Sequence, residues 1–209
     1  MNCCRSSLYC IVPPYLLREI IENGTPEQRQ QALRNIVSAE AVRVQREVIA
    51  KEGPPEPLLE AAPGGGLNRV IHTAENGSSL PGRRLRGEGE APTGDPAADE
   101  AYDGAGATYA LFHEAFERDS IDGAGMTLDS TVHYRTGYDN AFWNGQQMVY
   151  GDGDEDLSES QRIFNRFTIA IDIIGHELAH GVTQHTANLI YQGQSGALNE
   201  SMSDVFGSL

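Results

Sequence analysis

Apolar residues fall in blocks at helical or alternating spacing, and those blocks place the elements. Pro13-Pro14 breaks the entry segment, and Leu16, Leu17, Ile20 and Ile21 then form a short apolar face that stops at Asn23-Gly24. Thr25, Pro26 and Gln28 read as N-cap, first helical residue and partner in a capping box. Leu33, Ile36, Val37, Val44 and Val48 carry on at helical spacing, as the inward face of a second helix. Arg69–His72 and Arg83–Arg86 read as short strands on either side of the Asn76-Gly77 turn. Asp95-Pro96 opens a helix with Tyr109, Phe112 and Phe116 as its core stripe. Thr127–Tyr134 alternates as a strand does, and Ala141–Trp143 and Gln147–Tyr150 flank Asn144-Gly145 as a hairpin. Phe167, Ile169, Ile171, Ile173 and Ile174 lead into a buried helix. On this pattern His72, His113 and His133 are ordinary strand or helix residues.

Composition narrows the classes. The 209 residues hold 30 acidic and 15 basic side chains, a net charge of −15. Residues 1–52 carry seven basic and six acidic groups, so the acidity belongs to the rest. Such a body repels phosphate backbones, which excludes nucleic acid as a partner. No apolar run is long enough for a signal peptide or a membrane span. The expectation is a chain with no membrane partner, cytoplasmic as synthesised, whose secretion would need a non-classical route. Cys3, Cys4 and Cys10 all lie in the first ten residues and form no disulfide framework. The chain divides into a helical module at 1–52, a Pro/Gly-rich linker at 53–66 open to proteolytic nicking, and a body at 67–209. Asp152, Asp154 and Asp156 alternate like a calcium loop. Leu157 and Ile163 stand where an EF-hand needs glycine and glutamate, so this reads as a solvated acidic loop.

The chemistry concentrates in His176-Glu177-Leu178-Ala179-His180. Residues four apart share a helix face, so both imidazoles can meet one ion. Zinc (Zn2+) takes imidazole nitrogen and carboxylate oxygen, and catalytic sites use three protein ligands and keep one position open. Glu200 is the natural third ligand. Glu177 sits at the edge of that face, where it can act as a general base without ligating. Asp204, four residues after Glu200, is placed to orient a ligand histidine. A metzincin pattern is excluded, because Thr183 and Thr186 occupy its glycine and third-histidine positions. His185 is out of phase and reads as a surface residue.

These motifs, with Asn199-Glu200-x-x-x-Asp204, Asn140–Gly145 and Met148–Asp154, resemble the thermolysin family of zinc metallopeptidases. Tyr9–Leu17 resembles the short propeptide of its protealysin branch. The resemblance implies an α+β fold: a zincin-type lobe with a twisted, mostly antiparallel sheet on a long active-site helix, preceded by a small helical propeptide over the cleft. It implies hydrolysis of internal bonds in peptide or protein substrates. It makes Tyr191 an oxyanion donor, Asn199 a support of the metal site, Asn140, Ala141 and Trp143 binders of the substrate backbone, and Asp172 a calcium (Ca2+) ligand. Asp139 stands where the family usually has asparagine. The family places a mainly helical second lobe after residue 209, so this chain alone is expected to be a poor catalyst. The alternative is a latent or non-catalytic zinc-binding fragment. Latency has two candidate agents, a Cys10 thiolate on the open metal position or a plug of Tyr15, Leu16 and Leu17.

Overall fold

The computed structural model describes residues 11–53, 55–59, 61 and 64–209. Two helices come first. Helix α1 (Pro14–Asn23) ends at Gly24, and α2 (Pro26–Glu52) starts with the expected capping box. In that box Gln28 N–H donates to Thr25 Oγ1 over 3.3 Å and Thr25 N–H to Gln28 Oε1 over 2.8 Å.

The body is a five-stranded sheet with three helices. Its strands are β1 (Arg69–Thr73), β2 (Arg83–Gly87), β3 (Leu128–Val132), β4 (Ala141–Trp143) and β5 (Met148–Tyr150), in the order β2-β1-β3-β5-β4. The α+β class holds, but the sheet is mixed rather than mostly antiparallel. β1–β2 and β4–β5 are antiparallel, whereas β1–β3 and β3–β5 are parallel. Parallel neighbours need a crossover, and helix α3 (Pro96–Phe116) provides the one between β1 and β3. Asp95 caps α3 by accepting the Ala97 N–H at 3.0 Å.

Helix α4 (Ile171–Gln184) carries the His-Glu-x-x-His motif, and α5 (Gly193–Gly207) carries Glu200. Side chains from the sheet, α3 and α4 share one core, with Ile71, Leu128, Met148, Ala101, Ala105, Ile174 and Leu178 almost fully buried. Tight approaches set the helix spacing. A Cβ on Gly104 of α3 would meet Ile174 at 2.3 Å, and one on Gly207 of α5 would meet the Asp172 carbonyl of α4 at 2.6 Å. Among the described residues no helix is long and apolar enough to cross a membrane.

Three expectations about faces are corrected. On α2, Leu33, Val37, Val44 and Val48 are 44–70% exposed, while Gln31, Asn35 and Arg46 are at most 8% exposed. The inward face is polar because it meets carboxylates and carbonyls, which require donors. On α3, Phe112 is buried but Phe116 is exposed; small residues (Ala97, Ala98, Ala101, Gly104, Ala105) fill the contact instead. In the acidic loop Asp154 is buried, accepting the N–H groups of Ile163 and Phe164 at 2.9 and 3.0 Å, so it organises the loop rather than facing water.

Candidate metal centre and the helix that covers it

Helix α4 presents His176, Glu177 and His180 on its buried side, at 8%, 3% and 3% exposure, and α5 lays Glu200 across from them. Ligand-capable atoms of His176, His180 and Glu200 all lie within 4.8 Å of one another. The two histidine Nε2 atoms are 3.0 Å apart, His176 Nε2 is 3.4 Å from Glu200 Oε2, and His180 Nε2 is 3.6 Å from Glu200 Oε1. A tetrahedral ion with bonds of about 2.0–2.1 Å separates its ligand atoms by roughly 3.3 Å, so these donors fit zinc without rearrangement. The other ring nitrogens are engaged from outside. His176 Nδ1 pairs with Asp204 Oδ1 at 2.9 Å, and His180 Nδ1 has Asn199 Oδ1 at 2.8 Å and Ser203 Oγ at 2.9 Å. Protons held on Nδ1 leave both Nε2 lone pairs converging, a repulsion that a cation relieves. Burial first, then the charge of Arg46, pushes His180 well below its ordinary pKa and keeps it neutral, the form in which an imidazole can bind a metal.

Asn199 and Asp204 therefore stand where they can support the ligands, and Ser203 was missed in the sequence. Its only signal is its place one residue before Asp204, on the turn that faces α4. Tyr191 also converges. Its hydroxyl donates to Glu200 Oε1 at 2.7 Å and lies beside the His180 ring. Burial, helped by Glu200 and Glu177 and opposed by the Arg46 charge, holds Tyr191 well above its ordinary pKa, so it remains a donor.

β4 is one of the two edge strands of the sheet and brings Trp143 to the centre: its N–H donates to Glu177 Oε2 at 2.8 Å. Asn140 and Ala141 are buried beside it, and the Asn140 amide oxygen has no partner among the described residues. Asp172 does not join the centre. It is exposed in the first turn of α4, and among the described residues no second group of three His, Cys, Asp or Glu gathers around it.

Helix α2 lies over this edge. Gln31 donates to Asp139 Oδ1 at 3.3 Å and to Asp154 Oδ1 at 2.7 Å, and Asn35 to Asp139 Oδ2 at 2.6 Å. Gln45 donates to the Asn144 carbonyl at 2.9 Å. Arg46 reaches furthest. Its Nη2 meets Glu177 Oε2 at 2.5 Å, its Nη1 the Tyr191 hydroxyl at 3.0 Å and its Nε the Trp143 carbonyl at 3.4 Å. Burial alone would lower the Arg46 pKa, but the Glu177 charge foremost, with that of Glu200, outweighs it and keeps the guanidinium ionised.

Of the two expected agents of latency, only the Tyr15, Leu16 and Leu17 plug falls within the described residues, and it does not reach the base. Cys10 lies outside the described residues. Tyr15 and Leu16 are exposed, and Leu17 joins the core with Val12. Ile11 and Pro13 line a cavity of about 630 Å³ beside His176 and Glu200, so the entry segment walls the metal centre from a second side. Sequence reasoning missed Gln31, Asn35, Gln45 and Arg46. The available signal was a row of donors at 31, 35 and 46, on one helix face, in a chain whose body is acidic.

Comparison with known proteins agrees with this geometry. Residues 73–184, more than half of the chain, match the family model "Thermolysin metallopeptidase, catalytic domain". Residues 9–37 match the protealysin propeptide and 187–209 the thermolysin metallopeptidase alpha-helical domain. The chain is 51% identical over 199 residues to an extracellular metalloprotease of Pectobacterium carotovorum subsp. carotovorum, covering 95% of this chain and 54% of that protein. It is 43% identical to protease PrtS of Photorhabdus sp. (strain Az29), covering 95% and 52%. A solved precursor of protealysin, a metalloproteinase from Serratia proteamaculans, superposes with a TM-score of 0.77 at 49% identity, over 95% of this chain and 53% of that one. The chain thus spans about half the length of the curated relatives it matches. One expectation falls here: the Pectobacterium relative is named extracellular, against the cytoplasmic location expected from the sequence. Motif, fold and a family match over most of the body converge, and the chain belongs to the thermolysin metallopeptidase family.

Proposed function

We propose that this chain is the latent form of a zinc-dependent endopeptidase, with residues 1–52 as an intramolecular cover, 53–66 as the linker cut on activation and 67–209 as the catalytic body. The observation that carries the reading is the spacing of His176, His180 and Glu200, which matches a tetrahedral zinc shell, with the Glu177 carboxylate beside it. When bound, zinc supplies Lewis-acid polarisation of a carbonyl and acidifies a water.

The protein's own groups do the rest. An extended substrate pairs with the β4 edge, and the Asn140 amide oxygen, which has no partner among the described residues, offers an acceptor for a backbone N–H. Ala141 and Trp143 supply further backbone groups on that strand. Glu177, steadied by the Trp143 N–H, takes the proton of the attacking water and passes it to the leaving amine. Tyr191, protonated and buried, donates to the developing oxyanion. Calcium at Asp172 rests on the family resemblance alone. A rise in thermal midpoint on adding calcium that Asp172→Ala abolishes would support it, and no rise would remove it.

The test of the main reading is metal analysis beside hydrolysis of an unfolded protein, after residues 1–52 are removed and with and without chelator. Glu177→Gln is expected to keep zinc and lose hydrolysis, and Glu200→Gln to lose zinc. Retention of zinc by Glu200→Gln together with its loss from Glu177→Gln would reverse the assignment.

A further inference from the structure

We infer that the cleft contains a guanidinium-binding subsite, built from the Glu177 carboxylate, the Tyr191 hydroxyl and the Trp143 carbonyl, and that Arg46 fills it in cis. The inference deepens the proposed function and rests on it for its consequence, latency, but the subsite is a matter of geometry.

Each nitrogen of the Arg46 fork has its own acceptor, and the three acceptors come from α4, the segment before α5, and β4. None belongs to α2, so the body itself forms the receptor. The guanidinium carbon also lies 5.2 Å from the centroid of the Tyr191 ring, within cation–π range. A planar fork satisfies acceptors arrayed in this way, whereas an ammonium concentrates its charge at one atom. Glu177 is 3% exposed, and a carboxylate so buried requires a cation. Bonds on either side deliver Arg46 to the site: Gln45 to the Asn144 carbonyl, and Asn188 of the body to the Ala50 carbonyl at 3.0 Å.

While the subsite is filled, the base is ion-paired and the oxyanion donor is engaged. Ligands of the same chemistry, alkylguanidinium compounds and arginine side chains, bind there once Arg46 is withdrawn, and they inhibit by occupying the base.

The chain's single tryptophan, Trp143, lies at the subsite and serves as the probe. In the full chain, Arg46→Ala deletes the atoms of ethylguanidinium. The variant is expected to shift Trp143 emission and to speed cleavage of the 53–66 linker by an added protease about tenfold or more, the scale of losing hydrogen bonds to a charged group. Millimolar ethylguanidinium should reverse both changes along a saturable curve. Ethylammonium at the same concentration should be at least about tenfold weaker. Adding Glu177→Gln to Arg46→Ala should abolish the response. Should Arg46→Ala not fold, by far-ultraviolet circular dichroism, the same titration is run on Arg46→Lys, which keeps the charge without the fork. Wild-type emission and wild-type linker protection in the folded variant, or equal potency of the two cations, would overturn the subsite. A saturable guanidinium response in a processed chain that never hydrolyses peptide would leave the subsite standing and remove the peptidase reading. Hydrolysis with a flat titration would do the reverse.

Discussion

Single side chains decide how tightly α2 is held, and Asp139 is the one whose charge changes near neutral pH. Burial, and then the neighbouring Asp154 and Asp156 charges, raise its carboxyl to about 7, against the opposing bonds from Gln31 and Asn35. Once α2 leaves, those amides are replaced by water and the pKa returns toward the ordinary value of about 4. Docking therefore takes up a proton in that window. An acid whose pKa is raised in the docked state favours docking at low pH, weakens it as pH climbs from about 4 to about 7, and adds no further change above that. Protease access to the 53–66 linker is expected to rise across this window in the wild type and to lose much of that rise in Asp139→Asn. A profile unchanged by Asp139→Asn would place the pH dependence elsewhere. His133 is a second charged node. Hydrogen bonding to Asp152, opposed by burial and joined by Asp95, raises it to about 9, so it ties two loops together as a cation at neutral pH.

At the scale of elements, the metal centre depends on how closely α5 lies on α4. Gly175 and Gly207 set that distance: a Cβ on Gly175 would meet Gly207 Cα at 3.1 Å, and one on Gly207 would meet the Asp172 carbonyl and the His176 nitrogen at 2.6 and 2.9 Å. Gly207→Ala must push the helices apart, carrying Glu200 away from the histidines. Zinc affinity is expected to fall by about tenfold or more, comparable to removing a support of the ligands, with helix content by circular dichroism unchanged. Unaltered affinity would mean that α5 moves without the metal centre noticing. The elements themselves were largely legible in the sequence: the capping box at Thr25, the Asp95 cap, the Asn144-Gly145 hairpin and the His-Glu-x-x-His helix all lie where local chemistry puts them. So was the meeting of His176 and His180 on one face, because i and i+4 on one helix is a local rule. What stayed hidden is long-range. Periodicity identified α2 as a helix, yet Val37 and Val44 face water and Arg46 faces the protein. A buried polar face shows only when its acceptors, 97 to 145 residues away in the chain, are known. Strand direction was hidden for the same reason, since an alternating strand has the same pattern whether its neighbour runs parallel or antiparallel.

For the molecule as a whole, α2 closes the one flank of the sheet that β4 leaves bare, using side chains where a strand would use backbone. Gln45 and Arg46 take up the Asn144 and Trp143 carbonyls, and Val42 rests against the small cluster of Tyr134, Tyr138, Phe142 and Val149 on the sheet's other face. Departure of α2 thus uncovers a short strand with backbone groups seeking partners, next to an aromatic patch. An open strand of this kind is a template for pairing with any extended chain, another copy of the protein included. Light scattering is expected to show concentration-dependent self-association of the chain cut in its linker and stripped of residues 1–52, relieved by a peptide that lies along β4, and none in the uncut chain. Equal scattering by both would mean that the strand protects itself. On this view the covering helix also acts as a folding aid, keeping newly made copies from joining edge to edge until there is substrate to take its place.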